Sequence, residues 1–83
     1  MSSEAQVRDR LLAILTTMTK KPVEYQPNAD IFEDFGLDSL DQIEFVFGVE
    51  QAFGVKIDDE VFEENELRKF DKLITHLVRK SSK

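Results

Sequence analysis

Residues 35–57 read FGLDSLDQIEFVFGVEQAFGVKI, in which a glycine turn leads into apolar residues at helical spacing. Asp38 or Ser39 can cap a helix here, because either side-chain oxygen accepts a hydrogen bond from a backbone N–H of the first turn. An acid or a glutamine three residues later completes the pattern of a capping box. Gly54 suits the end of a helix, so the stretch predicts a helix over residues 39–53.

Apolar residues at helical spacing predict three further helices. The first covers residues 3–17, with Ser2 or Ser3 as its cap, and a short one covers residues 59–64. The last contains the apolar residues Phe70, Leu73, Ile74, Leu77 and Val78. No segment shows the sustained alternation of a strand. We therefore predict an all-α fold, a small helical bundle of three main helices plus one short helix, in one domain over residues 1–83.

Two apolar clusters flank the predicted start of the second helix. Ile31, Phe32 and Phe35 precede Gly36 and predict a short turn that packs on the core and ends where positive φ is tolerated. Within the helix, residues 45–47 are three consecutive bulky side chains, which cannot all face inward. We expect at least one of these three to lie near the surface. Apolar contacts are expected from Leu40, Ile43, Phe47 and residues 49–53.

The composition predicts a compact folded protein and restricts its chemistry. Hydrophobic residues make up 41% of the 83 residues and charged residues 34%, which argues against disorder. The absence of cysteine excludes disulfides, thiolate nucleophiles and thiolate metal sites. No apolar run approaches the length needed to cross a bilayer, and the first residues lack an export pattern. We expect a cytoplasmic monomer.

Acidic residues are concentrated in the middle of the chain. Between Asp30 and Glu66 there are 13 acidic residues and a single basic one, Lys56, whereas the remainder has 10 basic and four acidic residues. This charge repels nucleic acid and favours a partner with a basic surface. A solvated face that keeps a small domain soluble is the alternative interpretation.

The hydroxyl of Ser39 could serve three kinds of chemistry: catalysis, calcium binding or covalent attachment. Catalysis is disfavoured, because a GxSxG pattern is absent and the single histidine, His76, lies near the end of the last helix. A calcium loop with Gly36 at its sixth position would place Ile31 and Phe35 at ligand positions that need oxygen atoms. Covalent attachment remains, since a helix N-terminus favours a phosphodiester. A plain N-cap, which contributes about 1 kcal/mol, is the structural alternative.

The whole stretch resembles the acyl carrier protein family, in which a D-S-L motif begins the second helix. The similarity extends backward through DIFEDFG and forward through Leu40, Ile43, Glu44, Val46, Phe53 and Ile57. It implies that Ser39 carries 4′-phosphopantetheine, transferred from coenzyme A by a separate phosphopantetheinyl transferase that uses magnesium. It also implies a carrier rather than an enzyme, which holds acyl chains as thioesters in fatty acid, lipid or polyketide biosynthesis.

The same resemblance implies two sets of contact residues. Contacts to acyl-loading and acyl-processing enzymes with basic docking surfaces are assigned to Asp38, Leu40, Asp41, Glu44, Phe47, Glu50 and Ile57. Core packing is the alternative for Phe47 and Ile57, and a solvated helix face is the alternative for the acids. A pocket for the acyl chain would be lined by Ile31, Ile43, Phe45, Val46, Val49, Phe62 and Leu73.

The chain departs from the family pattern at several positions. Asp58 stands where a proline is common and Lys69 where a threonine caps the last helix. Phe47 and Gly48 replace a common methionine and alanine, which favours a specialised carrier over a housekeeping one. Two alternatives stay open: an aminoacyl, D-alanyl or peptidyl carrier protein, and an unmodified acidic helical module that binds a partner.

Overall fold

The structure is a computed structural model that describes residues 3–81, and it is helical. Its helices are α1 (Glu4–Thr19), α2 (Ser39–Phe53), α3 (Asp59–Glu64) and α4 (Phe70–Ser81). The predicted all-α bundle is confirmed, and α2 and α3 have the predicted bounds. Within residues 3–81, extended backbone pairs only at an isolated antiparallel bridge between Asp30 and Lys69. No helix in this range has the length and apolar character of a membrane span.

Helix α1 begins at a serine cap and runs two residues beyond its predicted end. The hydroxyl of Ser3 accepts from Gln6 N at 3.2 Å, and Ser3 N donates to Gln6 Oε1 at 3.0 Å, which forms a capping box. The other predicted cap, Ser2, lies outside the described residues. The helix continues to Thr19, whose hydroxyl donates to Leu15 O at 2.9 Å. Lys20 then turns left-handed, with φ 60°, and ends the helix before the proline.

The core forms where α1 packs against both α2 and α4. Its fully buried side chains come from every main helix and from the connecting segments, and they include Val7, Leu11, Leu15, Ile31, Phe45, Val49, Leu67, Phe70, Leu73, Ile74 and Leu77. The apolar turn before α2 also packs on this core as predicted. Ile31 and Phe32 are buried there, and Phe35 contacts the ring of Phe70 edge-on. The turn ends at Gly36, which has φ +71°.

A polar clamp formed by Asp30 and Arg68 fixes that turn to the beginning of α4. Asp30 Oδ1 accepts from the backbone N of Phe32 and of Glu33, each at 2.9 Å. Asp30 Oδ2 accepts from Arg68 Nε at 2.6 Å, and Ile31 N donates to Arg68 O at 2.7 Å. Burial acts to raise the pKa of Asp30, but these hydrogen bonds and the Arg68 charge hold it below its ordinary value.

Gly48 inside α2 and Gly54 directly after it are expected to respond oppositely to alanine. At Gly48, inside the helix, a new Cβ would meet only Ile14 Cγ2 at 3.8 Å, so alanine should stabilise the fold by about 0.5–1 kcal/mol. At Gly54 the backbone has φ +65°, and alanine should destabilise by about 1 kcal/mol. Urea unfolding of both variants measures the difference. Changes of the same sign would contradict the assigned backbone conformations.

Candidate functional site

The N-terminus of α2 is capped by Asp38. Asp38 Oδ1 accepts from Asp41 N at 2.9 Å, and Asp38 N donates to Asp41 Oδ2 at 3.4 Å. This reciprocal capping box settles the choice that the sequence left open between Asp38 and Ser39. Ser39 is therefore the first residue of the helix rather than its cap, and its hydroxyl does not stabilise the helix end.

Ser39 is exposed, and its hydroxyl has no hydrogen-bond partner among residues 3–81. It lies where the unpaired N–H groups and the positive end of the α2 dipole favour an anion. The nearby carboxylates of Asp38 and Asp41 offset part of that field. An exposed, unengaged hydroxyl at this place fits the attachment of a phosphodiester, since neither a buried side chain nor a capping bond has to be displaced.

An apolar stripe runs along the exposed face of α2 from the residue after Ser39. It consists of Leu40, Ile43 and Phe47, which are 65%, 68% and 60% exposed and fall at i, i+3 and i+7 on one helix face. Their exposure argues against core packing, the alternative that the sequence left open for Phe47. Phe47 does confirm that at least one of residues 45–47 lies at the surface. Glu44 is exposed on the same helix.

The remaining predicted partner residues have structural partners within the chain. Asp41 belongs to the capping box and is half-buried. Glu50 Oε2 accepts from Ile57 N at 2.7 Å, which ties the connector after α2 back onto the helix. Ile57 itself is only 7% exposed. The sequence did not indicate this internal role of Glu50, because it depends on how the connector folds back. The roles of Asp41, Glu50 and Ile57 in partner binding stay predictions.

A groove of about 410 Å³ lies between α2 and α3. Its apolar lining comprises Phe32, Ile43, Val46, Phe47, Ile57 and Phe62. Only three of the seven predicted pocket residues, Ile43, Val46 and Phe62, line this groove. The other four, Ile31, Phe45, Val49 and Leu73, are buried in the core, so the structure does not bring all seven residues together in this groove. The chain instead presents an open groove at its surface.

Five residues of the groove are not among the predicted site residues: Phe32, Gln42, Asp59, Glu63 and Arg68. Phe32 was expected only to pack on the core, and Arg68 was given no role. Arg68 places its guanidinium 5.5 Å from the centre of the Phe32 ring while it pairs with Asp30. The single signal in the sequence was that Arg68 is the first basic residue after the acidic block. Pairing across 38 positions cannot be inferred from local spacing.

The histidine lies in a different part of the surface. His76 is on α4 and lines a separate groove that contains none of the predicted site residues. Burial, followed by the charges of Lys80 and Arg79, lowers its pKa. Its Nε2 is buried without a partner in the described part of the chain. Residues 3–81 contain no group of three or more acidic or histidine side chains arranged to hold a metal ion.

The chain is similar to a known domain family and to several known proteins. The family described as phosphopantetheine attachment site matches residues 9–77. The chain is 39% identical over 57 residues to acyl carrier protein 2, mitochondrial, of Arabidopsis thaliana. The aligned region covers 68% of this chain and 45% of that protein. It is 38% identical over 60 residues to an acyl carrier protein of Nitratidesulfovibrio vulgaris (strain DP4), which covers 72% of this chain and 75% of that one.

A third relative, the mitochondrial acyl carrier protein of Dictyostelium discoideum, is 33% identical over 58 residues, with 70% of this chain and 48% of that one covered. The chain thus spans about half the length of these two mitochondrial relatives and three quarters of the bacterial one. No solved structure matches the chain significantly.

Proposed function

The chain belongs to the acyl carrier protein family, whose domain is a phosphopantetheine attachment site, and from that premise we propose that Ser39 is the residue that carries the group. The observation that carries this proposal is the capping of α2 by Asp38. Because the cap is supplied by Asp38, the Ser39 hydroxyl is exposed and free to be esterified. Its place at the start of a helix favours the negative charge of the resulting phosphodiester.

The attachment reaction consumes one coenzyme A for each chain. The Ser39 Oγ attacks the phosphorus that bears the pantetheine in the pyrophosphate of coenzyme A, and a bond between oxygen and phosphorus forms. The bond from that phosphorus to the bridging oxygen breaks, and adenosine 3′,5′-bisphosphate leaves. The proton of the hydroxyl passes to a base of the phosphopantetheinyl transferase, which uses magnesium. His76 takes no part, since it lines a separate groove.

The bound group supplies a thiol, on which acyl chains are held as thioesters, to a chain that has no cysteine. We propose that the protein is a substrate and shuttle rather than a catalyst. A flexible tether raises the effective concentration of the cargo at each docked enzyme. The cargo belongs to fatty acid, lipid or polyketide biosynthesis, and the departures at Phe47 and Gly48 favour a specialised carrier.

Docking is assigned to the start of α2. The apolar stripe of Leu40, Ile43 and Phe47 offers exposed contact area, and the surrounding acids steer enzymes with basic surfaces toward it. Asp38, Asp41, Glu44, Glu50 and Ile57 complete the proposed contact set. Such docking is brief and sensitive to salt, because exposed ion pairs are individually weak and are screened.

Charge reversal at Glu44 tests this surface. Glu44 is exposed and outside the capping box, so Glu44→Lys should leave the helical circular dichroism unchanged. At low salt we expect kcat/KM of a partner enzyme for the carrier to fall about 10-fold, because a charge at the rim of an interface mainly affects the association rate. At high salt this loss should be smaller, because the charge is screened. Asp41 is less suitable, since its reversal would also break the capping box.

Glu24→Lys is the matched control. It introduces the same change of charge at an exposed position in the connector between α1 and α2. Equal losses in the two variants would mean that net charge alone matters and that the acids of α2 are only a solvated face.

The proposed function is tested by co-expression with a broad-specificity phosphopantetheinyl transferase, followed by intact-mass measurement. We expect a gain of about 340 Da, the mass of one phosphopantetheine. An unchanged mass would favour the unmodified interaction module. Once the arm is attached, loading with acyl or amino acid activating enzymes separates an acyl carrier from an aminoacyl, D-alanyl or peptidyl carrier.

The cellular setting is also part of the proposal. We propose a monomer that acts in the cytoplasm and binds no nucleic acid, as the composition and the acidic block suggest. Two of the relatives carry mitochondrial names, and each is about twice as long as the matched region, so the location remains a prediction.

A further inference from the structure

We propose that a groove between α1 and α2 receives a lysine or arginine side chain of a docked partner enzyme, an inference that rests on the proposed carrier function. This groove, the Gly48 groove, has a volume of about 360 Å³. Its lining comes from α1 and from the facing edge of α2: Arg10, Ala13, Ile14, Thr17, Met18, Glu44 and Gly48. It shares no residue with the groove between α2 and α3.

The groove exists because α2 has no side chain at Gly48. A Cβ built there would meet only Ile14, whose Cγ2 lies 3.8 Å away. On the α1 side Ala13 has only a methyl group, and it is exposed, so the groove opens to solvent. A glycine inside a helix destabilises it relative to alanine. The chain thus has less stability at this position and a free space beside the helix.

The groove adjoins the surface assigned to docking. Leu40, Ile43 and Phe47 form the exposed apolar stripe of α2. Glu44 and Gly48, four residues apart, lie on the next face around the same helix. A partner that covers the apolar stripe therefore also reaches the opening of the Gly48 groove.

The two ends of the groove differ in charge. Glu44 is exposed, and its carboxylate makes no hydrogen bond or ion pair within residues 3–81. Arg10, at the other end, donates from Nη1 to Ala52 O at 2.8 Å and lies over the ring of Phe53. Glu44 and Ala52 are eight residues apart, which is about 12 Å along α2. A free carboxylate at one end and an engaged guanidinium at the other favour an occupant whose positive charge lies at Glu44.

A lysine or arginine side chain matches both the shape and the charge of the groove. Its methylene stem can pack on Ala13, Ile14 and Met18, while its cationic end pairs with the carboxylate of Glu44. An apolar side chain would cover that carboxylate without giving it a partner, which is unfavourable. An acidic side chain would be repelled. The basic occupant is therefore the one that the lining favours.

Amide chemical shifts of the isotope-labelled apo chain test the occupant directly. The probe is n-butylguanidinium, which has the stem and charge of an arginine side chain, and n-butylurea is a neutral counterpart of similar shape. We expect n-butylguanidinium to shift the amide signals of Ala13, Glu44 and Gly48 saturably, with a Kd on the order of 10 mM. n-Butylurea should bind about 3-fold more weakly, because it cannot form the ion pair.

Substitutions at Gly48 test the space, and substitutions of acids test the charge. Gly48→Ala should weaken binding of n-butylguanidinium about 3-fold, and Gly48→Leu should abolish it, because the new side chains occupy the groove. Both should retain helical circular dichroism, since alanine and leucine are better helix formers than glycine. Glu44→Gln should remove the preference for the cation over n-butylurea. Glu24→Gln, which removes a charge from the connector between α1 and α2, is the matched control and should keep that preference.

The same space should matter in the carrier reaction. Gly48→Ala should lower kcat/KM of the partner enzyme used for Glu44→Lys about 3-fold although its Tm rises. Shifts that do not saturate, equal binding of n-butylurea, binding that persists in Gly48→Leu, or an unchanged kcat/KM would each overturn the inference. The titration uses the apo chain and so does not depend on Ser39. An unchanged intact mass after the transferase reaction would instead overturn the proposed function, and the proposed partner with it, whatever the titration gives.

Discussion

Ser39→Ala is expected to take up no phosphopantetheine at all. The wild type should gain about 340 Da after incubation with coenzyme A and a transferase, and the variant should keep its apo mass. The loss should be complete, because the reaction needs an oxygen nucleophile and the variant has none at this position. The structure also predicts that folding is spared: Asp38 supplies the cap, so the Tm should change little.

Ser3→Ala gives the matched control for that experiment. Ser3 is also an exposed serine at a helix start, but its hydroxyl caps α1. Its removal should lower the free energy of unfolding by about 1 kcal/mol while the full mass gain remains. The two variants should therefore differ in opposite ways. Ser39→Ala should lose the modification and keep its stability, whereas Ser3→Ala should lose stability and keep the modification. A mass gain in Ser39→Ala would show that another residue is esterified.

The helices could be predicted from the sequence because the residues that determine their bounds lie close together in the chain. The bounds of α2 follow from the cap, the apolar spacing and Gly54, all within one stretch. The capping residue of α2 could not be predicted from the sequence, because Asp38 and Ser39 are equally good caps. Asp41 and Gln42 each fit the position three residues after one of them in a capping box. Only the folded backbone shows that Asp38 makes the bonds. The hydroxyl that carries the proposed function is free for that reason.

The orientation of α2 could not be predicted from the same pattern. Leu40, Ile43 and Phe47 lie on one face, and Phe45 and Val49 lie on another, so both sets satisfy helical spacing. Which set is buried depends on where α1 approaches, and that is a tertiary contact. The groove poses the same difficulty. Part of its lining depends on contacts between Phe32 and residues thirty or more positions away, Phe62 and Arg68, for which local spacing contains no signal.

Asp30→Ala is expected to destabilise the fold more than Ser3→Ala, Gly54→Ala or Lys72→Ala. It removes the acceptor of two backbone N–H groups and leaves Arg68 without its carboxylate. Asp30 is largely shielded, with its side chain 14% exposed, but Arg68 is 42% exposed, so solvent screens part of the pairing. We expect a loss of about 2–3 kcal/mol in the free energy of unfolding, or roughly 10–20 °C in Tm. Lys72→Ala, which breaks the exposed pair with Glu66, should cost no more than about 0.5 kcal/mol.

The effect of Asp30→Ala should also depend on pH. Since the pKa of Asp30 is lower in the folded chain than its ordinary value, the ionised carboxylate stabilises the fold fully above the unfolded pKa, about 4. That contribution is lost as the pH falls through the folded pKa. The difference in unfolding free energy between wild type and variant should therefore be constant at neutral pH and shrink below about pH 4. Urea unfolding at several pH values measures it, with Lys72→Ala in parallel. A difference that stays the same in acid would mean that the clamp acts by packing rather than through the charge of Asp30, and the turn before α2 would then be held by the backbone bond from Ile31 N to Arg68 O.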